Sequence, residues 1–484
     1  MARSIYLSEA WQLILPKCVT VLHSFLQTVC IVLKVKTCTS PKRCNYLNGL
    51  PTHLVAIPLI PYIMTTLSHT QAALLPRITV IDALRGFTLF GIIIVHMIEQ
   101  YYAGRVPEKY EVQPALADTI VSAISGILIT GKFYAIFSFL FGLSFYLQLS
   151  KSNSDFPFLL KFCWRLIILF GIGFIHHLHY RGDILTIYAM VGIVLLIAYR
   201  LPDKYLLVLS LLLIFDLPGI LTRVIGLAGN EPGVNEFIRK YEVSDASYFE
   251  TFKSGSYFSL LKANLESFAM KMDFQVWSGR IYMTPGLFLL GLYAGRKKIF
   301  EQIPSQTRVI KKYLQNAAWA LLGTVLGGLL FFIGANSIAG GLSDDANMLV
   351  GISLFDIFNT FLAVIYVTGF MLLYQNEKWK SRFMHFYDAG RMGLTTYLMQ
   401  AFFGVLTFST LGFGLVGKLG AAVSFVIAVA IFILQIFFSK FWMKHFYYGP
   451  VEWFWRSLTN FKIQPLMKPR IDPYMVPSDQ SIFK

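Results

Sequence analysis

The chain has 484 residues, of which 56% are hydrophobic and 14% charged, against roughly 25% charged in an ordinary soluble domain, and a soluble core of this length could not hide so much apolar surface. Its formal charge of +16 does not point to nucleic acid, because Lys and Arg fall in short clusters between apolar runs and form no continuous basic stripe. Such clusters suit loops held against an anionic cytoplasmic leaflet, which makes the lipid bilayer the expected partner.

In chain order, the first 75 residues stand apart. Trp11–Leu33 is apolar enough for a helix, but Lys17 and His23 interrupt it, and it lacks the small-residue cleavage site of a signal peptide. Met64 opens a polar stretch just ahead of the first clear span, so an extra helix within an extension over 1–75 and a true start at Met64 are both open readings. Cys18, Cys30, Cys38 and Cys44 lie here and only Cys163 beyond them, which defines no disulfide framework, and Cys38/Cys44 has no nearby His to make a metal pair.

A spanning helix needs about 20 mostly apolar residues. The candidates are Ile81–Met97, Lys132–Gln148, Phe158–Phe174, Ile184–Tyr199, Tyr205–Ile225, Ile281–Ala294, Ala317–Ile338, Met348–Tyr374, Leu394–Val416 and Ala421–Phe438. Threading them alternately places every basic cluster on one face: Lys151/Lys161/Arg165, Arg200/Lys204, Arg296 to Lys312, Lys378 to Arg391, and Lys440/Lys444/Arg456. The mixed-charge stretches Glu99–Asp118 and Asn230–Arg280 and the pair Asp344/Asp345 fall on the other. The positive-inside bias then puts both ends of the ten-span body in the cytoplasm. The predicted fold is all-α, a polytopic transmembrane helical bundle of about ten spans. Its parts are the extension 1–75, an N-terminal half 76–225, an outer-face cap of short helices over 226–280, a C-terminal half 281–461 and a cytoplasmic tail 462–484.

Ionisable residues at helix ends carry the chemical signal. Asp82 and Arg85, one turn apart at the inner end of the first span, are partners of each other or of a ligand, since a guanidinium offers five donors to phosphate or carboxylate. Eleven residues on stands His96, on the same helix face and about 16 Å away by helical rise, with Glu99 one turn further. One helix thus presents a cation inside and, outside, a histidine that is either a general base or a structural, interfacial residue. The densest polar cluster is His176-His177-Leu178-His179-Tyr180-Arg181-Gly182-Asp183, at an outer junction between spans. It has one nearby carboxylate and no His-Glu-x-x-His spacing, so no metal is expected. A hydrogen-bonded turn with Asp183 as helix N-cap and a polar outer pocket both fit it. The nucleotide phrase Gly-x-x-x-x-Gly-Lys-Ser/Thr and the hydrolase phrase Gly-x-Ser-x-Gly are absent, which gives no support to ATP-driven transport or serine-hydrolase chemistry.

Five ordered phrases carry a family resemblance. They are Ile81-Asp82-Ala83-Leu84-Arg85-Gly86-Phe87; Lys132-Phe133 with Phe137-Ser138-Phe139-Leu140-Phe141-Gly142; Gly182-Asp183-Ile184-Leu185-x-x-Tyr188-Ala189; Ala389-Gly390-Arg391-Met392-x-Leu394-Thr395-x-Tyr397-x-x-Gln400; and Gly449-Pro450-x-Glu452-Trp453-x-Trp455-Arg456. Together they resemble the YeiB-like bacterial membrane proteins, whose C-terminal half is known as domain of unknown function 418, over about Arg77 to Phe461. The resemblance implies a bacterial inner-membrane location. That family is similar, more distantly, to transmembrane acyltransferases, including lysosomal heparan glucosaminide acetyltransferases and the type-three enzymes that decorate bacterial polysaccharides. The latter pair an Arg with a His eleven residues later, the spacing of Arg85 and His96.

The resemblance implies an acyl-CoA donor docking from the cytoplasm with its phosphates on Arg85 and Arg391. His96 would take a proton from an acceptor at the outer face, with Glu99 or Asp183 orienting the ring. Asp82, His176, His177, His179, Arg181, Tyr188 and Gln400 would complete the substrate-binding surface. The acceptor, whether small molecule, lipid or glycan, stays open. The alternatives are a transporter or efflux component for a small solute, in which the same polar residues line a pathway, and a non-catalytic membrane scaffold or sensor.

Overall fold

The computed structural model describes residues 77–468 apart from 104–106, 108–109, 111–112, 153–154, 229–245 and 338–342. The extension with its expected extra helix, the four Cys within it and most of the tail lie outside the described residues. Within them the chain runs through α1 (Thr79–Ile98), α2 (Leu116–Leu128), α3 (Lys132–Leu149), α4 (Asp155–His179), α5 (Leu185–Val191), α6 (Ile193–Ala198), α7 (Asp203–Ile214) and α8 (Leu217–Ala228). A short helix at 246–254 follows. Then come α9 (Tyr257–Trp277), α10 (Arg280–Arg296), α11 (Ile303–Ser337), α12 (Asp344–Tyr374), α13 (Glu377–Phe383), α14 (Tyr387–Arg391), α15 (Gly393–Phe408), α16 (Ala421–His445) and α17 (Pro450–Thr459). The β pairing among these residues is one isolated bridge, Phe446 to Met467.

Six stretches are long and apolar enough to cross a membrane, namely Thr79–Ile98, Leu116–Leu149, Phe156–His179, Ile303–Ala335, Ala346–Tyr374 and Ala421–His445, and α7 with α8, bent by 45°, would make a seventh. The remaining stretches of the expected ten fall on shorter helices: α5 with α6, α10 and α15. Their lengths have a physical reason. A helix wrapped by other helices need not match the thickness of the lipid, and α10 is buried along most of its length, from Met283 to Gly295. By contrast α11 is almost wholly exposed and runs for 35 residues.

Small residues set the close crossing of α3 with α10. A Cβ on Gly142 of α3 would lie 1.9 Å from the Phe288 carbonyl oxygen of α10, and one on Gly291 would lie 2.0 Å from that of Phe139. Helices without much hydrophobic drive between them associate through this kind of close backbone approach. The stretch expected to form a cap contains α9, 21 residues long and started by Ser256, whose side chain accepts from the Ser259 amide. The helix α17 completes a neighbour. Met392 offers no side-chain cap to α15, and Glu452 fills that role, accepting from the amides of Leu394 (2.7 Å) and Thr395 (3.2 Å) and from the Thr395 hydroxyl. Burial pushes the Glu452 carboxyl up, against the pull of those three donors.

Candidate functional site

The site grows from the turn between α4 and α5. Asp183 folds its carboxylate back under the start of α5, accepting from the amides of Leu185 (3.0 Å) and Thr186 (2.9 Å) and from the Thr186 hydroxyl (2.7 Å). This is the capping role expected from the sequence. Two further partners arrive from elsewhere: His176 Nδ1 at 2.8 Å and Lys271 Nζ, from α9, at 3.2 Å. Burial alone would raise the carboxyl's pKa, but Lys271, His176 and the Thr186 amide overrule it and hold Asp183 well below the usual carboxylate range. An ionised carboxylate only accepts, so His176 donates from Nδ1, and in the neutral form of the ring the lone pair lies on Nε2. That Nε2 is buried and has no hydrogen-bond partner among the described residues. An acidic group holding one imidazole nitrogen so that the other can take a proton is the arrangement of general-base histidines.

Aromatic rings enclose this pair. His176 packs against Tyr180 and Tyr397, Tyr180 against Tyr101 and His96, and His96 against Tyr101, with neighbouring centroids 5.0 to 5.8 Å apart. Burial pushes the Tyr101 and Tyr180 phenols well above their ordinary range, so both keep their protons. The Tyr180 hydroxyl meets His96 Nδ1 at 2.9 Å. As the donor in that bond it takes the Nδ1 lone pair and puts the proton of neutral His96 on Nε2. Asp183 thus lies against His176 and not against His96. Glu99 stands 3.8 Å from His96 Nδ1. The hydroxyls of Tyr101 and Tyr397 join His176 Nε2 as buried polar atoms without partners. Buried polar groups are almost always satisfied, and these exceptions gather in one ring cluster.

The other expected residues divide. His177 faces Lys271 Nζ (3.4 Å) and the Phe268 ring, and His179 lies outside, against the Tyr257 hydroxyl at 3.1 Å. Arg181 is buried between Tyr102 and Tyr248, donating to the Tyr102 carbonyl at 2.8 Å. Tyr188 is buried against the Phe141 and Phe288 rings and bonded to Ser138 at 2.6 Å. Gln400 donates to the Leu89 carbonyl at 3.1 Å and leaves its own Oε1 unpartnered. At the start of α1 Asp82 ties Arg77 to Arg85, and Arg85 also donates to Gly390 O (3.2 Å) and Ser144 Oγ (3.1 Å). Arg391 pairs with Asp388 at 3.4 Å. Those cations are therefore engaged by the protein itself. Lys271, Tyr101 and Tyr397 were not visible as site residues. Tyr397 sat inside a quoted phrase and Tyr180 inside the histidine cluster, whereas nothing around Lys271 distinguishes it from any surface lysine of a polar stretch. Among the described residues no group of three His, Cys, Asp or Glu side chains is placed to hold a metal ion.

Comparison with known proteins adds relatives. Residues 294–462 match the family described as Protein of unknown function (DUF418). The chain is 28% identical over 413 residues to Uncharacterized protein YxaH of Bacillus subtilis (strain 168), covering 81% of this chain and 96% of that protein. It is 27% identical over 420 residues to an uncharacterized 39.9 kDa protein in the amylase 3′ region of Bacillus acidopullulyticus, covering 83% and 99%. Over 70 residues it is 41% identical to Uncharacterized protein YeiB of Escherichia coli (strain K12), covering 14% and 18%. No solved structure matches the chain.

Proposed function

Since the chain belongs to the YeiB-like DUF418 family, we propose that it is a membrane-bound acyltransferase whose base is His176, oriented by Asp183. The reading takes an acyl-CoA thioester from the cytoplasm and an acceptor hydroxyl or amine from the outer face, in a bacterial inner membrane crossed about ten times. His176 Nε2 removes the acceptor's proton, the acceptor attacks the thioester carbonyl, and the imidazolium returns the proton to the departing thiolate. His96 Nε2–H and the Tyr101 and Tyr397 hydroxyls are the donors for the oxyanion. The observation that carries this reading is the buried, unpartnered Nε2 of an Asp-oriented histidine.

Thiol release from acyl-CoA by the purified protein is the test. His176→Ala lowers turnover by about 10²–10⁴-fold, the usual contribution of acid–base help. His96→Asn lowers it by less, because the base is intact. Undiminished turnover in His176→Ala would sink the assignment. A second reading rests on a different observation: Lys271, Asp183 and His177 form a buried ionisable link between the outer helix α9 and the body, as a proton-coupled carrier would need. Solute flux without any CoA thiol release would favour it.

A further inference from the structure

Most arginines near the inner end of the bundle have an acidic neighbour: Arg77 and Arg85 have Asp82, Arg296 has Asp203, and Arg391 has Asp388. Lys161, Arg165 and Arg456 do not. No ion pair or side-chain hydrogen bond joins any of them to a described residue, and the three lie close enough to repel one another. The cluster is nevertheless held firmly. The Arg165 guanidinium stacks on Trp455 at 4.5 Å, and its Nε is buried without an acceptor. The Trp455 indole N–H donates to the Arg165 carbonyl and that of Trp164 to the Leu458 carbonyl, both at 3.2 Å, which clamps α17 to α4. Arg456 lies over Tyr448 at 4.6 Å. Three like charges gathered on a fixed frame are unfavourable until an anion completes them, and charge-assisted bonds to phosphate are the strongest such completion.

We propose that Lys161, Arg165 and Arg456 form a phosphate-binding site at the inner end of α4. Its place on that helix gives it a use. Arg165 precedes His176 by eleven residues, so the two share a helix face and stand about 16 Å apart, the Arg–His spacing noted for Arg85 and His96. A donor with a diphosphate at one end of an extended arm and a thioester at the other would reach from one to the other. In that form the proposal rests on the acyl-transfer reading. The phosphate chemistry itself would equally take the headgroup of an anionic lipid.

The experiment uses the full chain in nanodiscs of phosphatidylcholine, with CoA as the soluble probe, and native mass spectrometry of detergent-extracted protein for retained phosphatidylglycerol. Arg456→Gln and Lys161→Gln are the variants, because Arg165 also braces Trp455 and its removal would disturb folding. CoA binding weakened tenfold or more in both variants supports the site and names CoA as the source. No CoA binding, with phosphatidylglycerol retained by the wild type and lost from both variants, supports the site and overturns the acyl-CoA donor. CoA binding that is equal in all three proteins overturns the site while leaving the acyl-transfer reading standing. Neither ligand distinguishing the variants from the wild type overturns the site as well.

Discussion

Asp183 accepts hydrogen bonds from α4, α5 and α9 at once, and replacing it separates its two roles. Asp183→Asn leaves the Lys271 ammonium buried without its counter-charge, a change that costs roughly 3–5 kcal/mol. The double variant Asp183→Asn with Lys271→Met removes the stranded charge, so its thermal unfolding in detergent should recover a good part of that loss, a non-additivity expected of groups in contact. The pH dependence has a definite sign. The folded-state pKa of Asp183 is depressed, so its contribution is fully present above the unfolded carboxylate value of about 3.9. It is lost only as pH falls through the folded value. Between pH 7 and 5 the melting interval separating wild type from Asp183→Asn should hold steady, and it should narrow only in stronger acid. An interval that shrinks already by pH 5 would mean that the carboxyl is not held as described. His96 shows the limit of reading single residues: its spacing from Arg85 was plain in the sequence, but the donor at its Nδ1 comes from Tyr180, 84 residues away.

Among the elements, the α3–α10 crossing and α11 make opposite predictions for the same substitution. Gly142→Ala and Gly291→Ala each drive a methyl into a backbone carbonyl, and overpacking of this kind costs typically 1–3 kcal/mol or more. Gly323→Ala and Gly327→Ala on α11 meet open space, and there Ala is the better helix former by about 1 kcal/mol. Thermal unfolding of the four variants tests the packing directly, and loss of stability in the α11 pair would contradict the lipid-facing placement of that helix. The apolar runs foretold most helices because their composition alone demands burial or lipid. They did not foretell that α10 and α15 would be short, because that depends on neighbours covering them. Nor did they foretell that Glu452 would cap α15 from 57 residues further along the chain.

For the molecule as a whole, the basic clusters and the helix order make a prediction about sidedness. In a cysteine-free background, a cysteine at the exposed Lys262 of α9 should react with an impermeant maleimide in intact cells. One at Lys378 of α13 should react only after permeabilisation; labelling of both from outside would break the proposed threading. Hydrophobicity is an additive property of segments, so the sequence by itself determined that the chain is a helical bundle of the membrane type. It also marked the turn around Asp183, because a cap and its helix are neighbours in the chain. Only the tertiary structure decided which partner each histidine nitrogen meets, that Lys271 reaches the Asp183 carboxylate, and that Lys161, Arg165 and Arg456 stand together without an acid. Those facts depend on side chains brought together from distant helices, where burial makes each partner decisive, and one-dimensional spacing carries no record of them.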